Sequence, residues 1–339
     1  MRIAQVAPLT LRVPPEGYGG TERIVSYLTE ELVRQGHDVT LFARGDAVTK
    51  ARLVSPNDGA SSPGTLSNLW AYYHVMLERL FQRADAFDCI HFHLGYRHFP
   101  LLRRRPLPHV TTIHWHLDIP ELVPLFEEFR EMPMVSISEA QRAPLPWLNW
   151  VGTVPHGIPS DLYRLQDEPE PYLAFLGRIW PPKGVEEAID IARRAGRRLK
   201  MAGVVLDQDR AFFDEVVTPH LDGGTVEYVG EIGDAEKQAF LGNASALLFP
   251  SLIDEPFGMV MIEAMACGTP VIAFRRGAVP EVVQEGVTGY IVDGVEEAAQ
   301  GVEQVQGLNR AVCRRVFEER FSVRRMAEAL VDIYRRAAR

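Results

Sequence analysis

Two carboxylates with seven residues between them, Glu255 and Glu263, frame the run Pro256, Phe257, Gly258, Met259, Val260, Met261 and Ile262. The run reads as a helix from about Pro256 to Cys267. Proline suits a first helical position, where its missing N–H would have no partner anyway, and Gly268 with Pro270 supplies a stop. The amides of Phe257, Gly258 and Met259 then stand at the positive end of the helix, where phosphate is favoured, and Gly258 has no side chain to block an anion. Glu263 lies a turn further in among apolar residues, and helical side chains lean back toward the N-terminus. A carboxylate accepts two hydrogen bonds side by side, which suits a ribose diol. The alternative is a Glu satisfied by a neighbouring Arg or a backbone amide.

Arg178 and Lys183 flank a loop that follows an apolar run and contains Pro181 and Pro182. A guanidinium grips two oxygens and an ammonium adds a point charge, so together they suit a diphosphate better than a single carboxylate; the alternative is a pair of surface cations. A second glycine-rich turn, Gly17 to Gly20, precedes the helix that starts near Thr21. It lacks the full G-x-G-x-x-G, and no acidic residue closes the following strand, which weakens a dehydrogenase reading. His91 with His93 and His114 with His116 form two H-x-H pairs at strand ends. Each pair falls on one face of its strand. A metal site is the sharp alternative there, with Asp118 the only carboxylate at a suitable strand end. Otherwise His114 could donate to a developing negative charge or a sugar hydroxyl, and His91 and His93 satisfy the structure.

The elements that must position these residues alternate strand and helix twice over. Strands are expected near Arg2–Pro8, Asp38–Ala43, Asp88–His93, His109–His114, Met134–Ser138 and Trp150–Gly157, with helices near Thr21–Gln35 and Leu69–Arg83 and a polar stretch near Pro56–Asn68. After a Pro-, Asp- and Glu-rich segment from Ile158 to Pro171 the pattern restarts. Strands are expected near Tyr172–Gly177, Leu199–Val204, Thr225–Val229, Ala246–Pro250, Pro270–Phe274 and Tyr290–Val292. Helices are expected near Gly184–Ala195, Asp209–Thr218, Ala235–Gly242 and Pro256–Cys267. The expected fold is α/β, with an N-terminal domain over 1–160, a C-terminal domain over 161–321, and a final helix, 322–339, that packs back on the first.

The chain of 339 residues is 46% apolar and 24% charged, with a net charge of −9. That balance argues against wholesale nucleic-acid binding, despite basic spots at Arg103–Arg105 and Arg193–Arg198. Cys89, Cys267 and Cys313 form no C-x-x-C pair and encode neither a disulfide framework nor a zinc knuckle, which fits a reducing cytoplasm. No apolar run approaches membrane-spanning length.

Gly19, Gly20, Thr21 and Glu22, then Gly177-Arg178 with Lys183-Gly184, then Glu255 and Glu263 followed by Ala264 to Ala273, resemble the retaining glycosyltransferases of family 4. The resemblance covers nearly the whole chain. It implies a GT-B fold: two Rossmann-like parallel-sheet domains facing across a cleft, with the donor held mainly by the C-terminal one and no metal or cofactor needed. It implies Arg178 and Lys183 on the diphosphate, Glu263 on the ribose, and Glu255 with the amides of Phe257, Gly258 and Met259 on the donor sugar. His114 matches the active-site histidine, Gly230 and Ile232 fall where backbone meets the base, and the Gly19–Gly20 turn lies across from the diphosphate. The expected reaction moves a hexose, glucose first, from a UDP-sugar or next a GDP-sugar to a small-molecule or saccharide hydroxyl with retention. An acceptor site is expected near Gly17–Glu22, His93, Trp115 and Ser138. The alternative is an epimerase or another non-transferring enzyme on the same scaffold. The chain departs from the family at His156-Gly157-Ile158-Pro159, where Asn-Gly-Ile-Asp is frequent.

Overall fold

Long apolar runs without polar alternation predict strands buried on both faces, and such strands form parallel sheets covered by helices. A computed structural model of the chain describes residues 1–56 and 69–338 and divides into two compact units, Met1–Gly157 with Val323–Arg339, and Ile158–Ser322. The polar stretch expected up to Asn68 lies, from Asn57 on, outside the described residues.

The first unit carries β1 (Arg2–Val6), β2 (Asp38–Phe42), β3 (Arg52–Val54), β4 (Cys89–Phe92), β5 (His109–Thr112), β6 (Met134–Ser136) and β7 (Trp150–Thr153). All neighbours are parallel, in the order β3-β2-β1-β4-β5-β6-β7. The helix Gly20–Arg34 buries Ile24, Val25, Leu28 and Leu32, the stripe that its 3.6-residue period predicts. The helix Val323–Ala337 buries Met326, Leu330, Ile333 and Tyr334 and lies beside it.

The second unit carries β8 (Tyr172–Leu176), β9 (Arg198–Ala202), β10 (Val226–Tyr228), β11 (Ala246–Phe249), β12 (Val271–Phe274) and β13 (Gly289–Val292), parallel in the order β10-β9-β8-β11-β12-β13. The two sheets share one design. Strand order reverses between β1 and β4 in one and between β8 and β11 in the other, and the crevice outside the carboxyl ends at such a point is where ligands bind in open α/β sheets.

Several elements differ from the sequence expectation. β3 is absent from it because three residues carry too little period to read. The helix expected over Asp209–Thr218 is a relay of single turns, 3-10 at Asp207–Asp209, α at Arg210–Phe212, π at Phe213–Val217 and 3-10 at Thr218–His220. The Thr218 hydroxyl donates to the Phe213 carbonyl at 3.1 Å, which fits the wide turn, and Pro219 has no N–H to continue a regular ladder. The helices Val295–Gln304 and Arg310–Arg320 were not anticipated either. The second rests on the helix Met259–Ala266, and Arg310 spreads its guanidinium over the carbonyls of Gln166 (2.5 Å), Ala244 (3.0 Å) and Gly242 (2.6 Å).

A polar seam runs through the first unit. His91 donates or accepts between Tyr334 Oη (2.7 Å) and Thr112 Oγ1 (2.8 Å), His93 meets Gln5 Oε1 (2.9 Å), and His98 meets Thr111 Oγ1 (2.8 Å). Burial drives the His91 imidazolium down to about 3 and those of His93 and His98 well below the ordinary 6.5. All three are therefore neutral in the fold at neutral pH.

Two outcomes follow from this packing. The unfolded chain binds protons on these histidines below pH 6.5 while the folded one does not, so stability is complete above 6.5 and falls as pH drops toward 3. Each such histidine loses up to about 1.4 kcal/mol per pH unit, so unfolding free energies from urea titrations at pH 7 and pH 5.5 should differ by at least roughly 2 kcal/mol, with a lower midpoint at pH 5.5. Equal midpoints would show that the seam accepts protons without unfolding. Arg310→Met strands three backbone acceptors and should cost roughly 2–4 kcal/mol by denaturant titration; a loss under about 0.5 kcal/mol would show the carbonyls satisfied otherwise.

Candidate functional site

The loops that leave β8 and β11 meet at the reversal of the second sheet. The Leu252 amide donates to the Pro182 carbonyl at 2.9 Å. Gly184 has φ of +75°, and a Cβ there would stand 1.9 Å from the Pro250 carbonyl oxygen, so only glycine permits this approach. The contact brings Lys183 Nζ onto Glu255 Oε1 as an ion pair, with Ser251 Oγ 3.5 Å from the same oxygen. Glu255 is 8% exposed. Its carbonyl accepts from the Ala278 amide at 3.0 Å, and Asp254 Oδ1 accepts from the Gly277 amide at 3.1 Å, so the loop is tied on its other side as well.

Arg178 stands at the start of the first loop. Its Nε and Nη2 donate to Asp209 Oδ2 and Oδ1 at 2.6 and 2.9 Å, and its guanidinium lies 4.3 Å from the Trp180 ring centroid. The guanidinium holds the Asp209 carboxyl below its usual range. A fork held by a bidentate partner and stacked on a ring has little rotamer freedom left, which pre-orients its charge.

The helix after β11 begins later than the sequence suggested, at Met259, and runs to Ala266. Gly258 is its N-cap, with φ of +87°, outside the helical range, and a Cβ there would meet Met261 Cε at 2.6 Å. Phe257 therefore sits before the helix, buried and packed edge-on against Phe321 at 6.0 Å between centroids. Of the amides expected at the helix end, Met259 belongs to the first turn, Gly258 to its cap, and Phe257 to the preceding loop. Glu263 is 3% exposed and pairs at 2.8 Å with Lys237, which also stands 3.6 Å from Asp234. The partner of the buried carboxylate is thus a lysine of the helix Asp234–Gly242, neither an Arg nor an amide. Gly230 and Ile232 lie in the turn between β10 and that helix, where the Gly230 carbonyl accepts from the Gly203 amide at 2.9 Å.

The remaining expected residues belong to the first unit. Gly19 caps the helix Gly20–Arg34 with its Cβ direction filled by Leu11 at 2.7 Å, while nothing stands within 4 Å of a Cβ built on Gly20. Glu22 is 5% exposed, and burial raises its carboxyl above the usual range against the opposing pull of the Glu22 and Leu11 amides. His114 follows β5. Its Nε2 is 2.8 Å from His93 Nδ1 and its Nδ1 3.3 Å from His156 Nε2, and burial lowers it to about 3. Two expectations are corrected here. His114 has both ring nitrogens against histidines, so it does not offer an N–H to a sugar hydroxyl. His93 and Ser138, expected to line an acceptor site, are 1% and 2% exposed; Ser138 Oγ instead caps a short helix by accepting from the Gln141 amide at 3.0 Å. His91 and His93 do share a face, 4.0 Å apart between centroids, but protein groups engage both nitrogens of each. Among the described residues no group of three or more His, Cys, Asp or Glu is placed to hold a metal ion.

Asp209, Trp180, Lys237 and Gln141 escaped the sequence reading. Gln141 Nε2 donates to the carbonyls of Ile113 (2.8 Å) and Trp115 (3.0 Å) and so fixes the backbone on either side of His114. Trp180 was findable, two residues from Arg178. The other three come from short helices distant in sequence and carry no local signal. The second unit thus gathers Arg178, Lys183, Glu255, Gly258, Met259 and Glu263 at the carboxyl edge of one sheet, two cations and two carboxylates beside a helix start. Such a set can hold a diphosphate and a polyhydroxyl group together.

Residues 18–154 match the family model described as Glycosyltransferase Family 4, and residues 164–310 match that described as Glycosyl transferases group 1. The phosphatidyl-myo-inositol mannosyltransferase of Propionibacterium freudenreichii is 26% identical over 333 residues, covering 86% of this chain and 82% of that one. The D-inositol 3-phosphate glycosyltransferase of Saccharomonospora viridis is 33% identical over 201 residues, which are 53% of this chain; the match spans 44% of that relative's length. A glycosyltransferase involved in Avilamycin A biosynthesis superposes with a TM-score of 0.75 at 27% identity, covering 100% of this chain and 98% of that one. A sucrose-phosphate synthase from Thermosynechococcus elongatus, at 21% identity and a TM-score of 0.77 over 99% and 98% of the two chains, shares the fold. Among the described residues no helix is long and apolar enough to cross a membrane. The architecture is of the GT-B type, and the chain belongs to the family 4, group 1 glycosyltransferases.

Proposed function

We propose that the chain transfers a hexose, glucose first and mannose second, from a nucleoside diphosphate sugar to a hydroxyl acceptor with retention and without a metal. The observation that carries this reading is the junction of two loops at the reversal of the second sheet, where Lys183 meets Glu255 beside the oriented guanidinium of Arg178. Cleavage of a sugar–diphosphate bond develops negative charge on the leaving oxygen. Cations fixed in advance stabilise that charge without reorganising during the reaction.

In this reading Arg178 and Lys183 take the diphosphate, helped by the start of the helix Met259–Ala266, and Glu263 takes the ribose while Lys237 holds it. Glu255, kept in place by Lys183, meets the donor sugar, and the backbone near Gly230 and Ile232 meets a base that is uracil before guanine. No side chain is assigned as a covalent nucleophile. The acceptor hydroxyl attacks the face that the diphosphate leaves, and the departing phosphate takes its proton. The acceptor is a small molecule or saccharide with a free hydroxyl; two of the relatives are an inositol phosphate glycosyltransferase and a phosphatidyl-myo-inositol mannosyltransferase, which puts inositol-type hydroxyls first on the panel.

The test is release of nucleoside diphosphate from UDP-glucose and GDP-mannose with and without an acceptor panel. Release only with acceptor, and a product whose anomeric signal matches the donor, support transfer with retention; an altered free sugar without acceptor or an inverted product contradicts it. Arg178→Ala and Lys183→Ala should each lower turnover by about 10²–10³, and rates within a few-fold of the parent remove them from the chemistry. Glu263→Ala should mainly raise the donor KM, and Glu255→Ala should mainly lower kcat; the reverse pattern contradicts the assignment.

A further inference from the structure

The histidines of the first unit form a directed chain, and one end of it, His156, has no part in the reading above. Gln5 fixes the direction. Its Nε2 donates to Tyr334 Oη at 3.2 Å while its Oε1 stands 2.9 Å from His93 Nε2. An amide oxygen only accepts, so His93 Nε2 carries the hydrogen. A neutral imidazole has one N–H, which leaves His93 Nδ1 bare, and His114 Nε2, 2.8 Å away, must donate to it. His114 Nδ1 is then the bare nitrogen, and His156 Nε2 at 3.3 Å donates to it, with the two rings stacked 5.1 Å apart at 14°. The other arm obeys the same logic. Tyr334 Oη, receiving from Gln5, gives its proton to His91 Nδ1 at 2.7 Å, and His91 Nε2–H donates to Thr112 Oγ1 at 2.8 Å.

Every link therefore points one way, from His156 through His114, His93, Gln5, Tyr334 and His91 to Thr112. The chain joins residues near the carboxyl ends of β1, β4 and β5 to the C-terminal helix, and turning the Gln5 amide over would reverse every link. His156 is 5% exposed and stands in the segment where the family frequently has Asn-Gly. An asparagine amide can donate, but it cannot stack a five-membered ring on His114.

We infer that His156 is a positioning residue, which together with His93 fixes the tautomer and the ring plane of His114. Its activity arm rests on the transfer reading proposed above together with the place beside the donor sugar that the family resemblance gives His114; its structural arm does not. With Nε2–H committed to His93 and Nδ1 covered by His156, His114 offers a ligand its ring edge and not a polar hydrogen. A ring held in one plane and one tautomer keeps a fixed shape beside a substrate, which is what a buried, fully satisfied network supplies.

The test is histidine-selective 15N labelling of the full chain at pH 7, with long-range 1H–15N correlation to read each tautomer. The parent should show His114 as a single Nε2–H form and His93 likewise. His156→Phe keeps a flat ring without an N–H donor; His114 should then lose its single tautomer, and kcat should fall at least tenfold with the donor KM within a few-fold. His156→Asn, which restores a donor, should recover the Nε2–H form and part of kcat. A parent His114 in the Nδ1–H form, or a spectrum indifferent to both substitutions, overturns the inference. The parent measurement decides alone if His156→Phe does not fold. Absence of transfer by the parent would remove the proposed function while leaving the tautomer result intact.

Discussion

Lys183 and Glu255 come from loops that leave adjacent strands, β8 and β11, and their ion pair is the contact on which the arrangement of charges at the carboxyl edge of the second sheet depends. Glu255 is almost wholly covered, and a covered carboxylate requires a partner. Lys183 supplies it only because Gly184 lets the two loops touch, and the Leu252 to Pro182 hydrogen bond holds them there. The same contact sets where the following helix starts, since Gly258 ends the second loop. Arg178 is oriented independently, by Asp209 and Trp180. Each charged group in this edge therefore has its own counter-group, and the site does not rely on a single long side chain finding its place.

The two units use polar burial in opposite ways. In the second, charges are paired: Arg178 with Asp209, Lys183 with Glu255, Lys237 with Glu263. In the histidine seam of the first, titratable groups are kept neutral, with His91 and His114 lowered to about 3 by burial and joined to their neighbours by hydrogen bonds. Paired charges suit a ligand whose leaving group gains negative charge. A neutral, directed network gives a rigid wall of fixed shape, at the cost of acid sensitivity. The reversal of strand order recurs in both sheets, and the groups that gather at the two carboxyl edges differ in chemistry, paired charges at one and neutral imidazoles at the other.

The alternation of strands and helices was legible because buried parallel strands are continuous apolar runs and their helices keep a 3.6-residue stripe, as in Gly20–Arg34. The carboxylate pair Glu255 and Glu263, the cations Arg178 and Lys183, and the open Gly20 turn were legible for the same local reason: residue type and spacing sufficed. What escaped was tertiary. Asp209 is 31 residues from Arg178 and Lys237 is 26 from Glu263, and each lies on a segment whose own pattern says nothing of its partner. The start of the Met259 helix was misplaced because proline permits a first turn that the left-handed Gly258 forbids. His91 and His93 were correctly put on one face, yet the partners of the seam, Gln5, Tyr334 and His156, come from the two ends of the unit, so a polar seam looked like a set of candidate ligands.

The central claim is that the junction of the β8 and β11 loops reads a diphosphate through Lys183. Calorimetric affinities of the parent and Lys183→Ala for a nucleoside diphosphate and the matching monophosphate test it most directly. The account predicts that the parent prefers the diphosphate by at least about tenfold, roughly 1.4 kcal/mol, and that Lys183→Ala loses this preference while still binding both. An equal preference in parent and variant would contradict it.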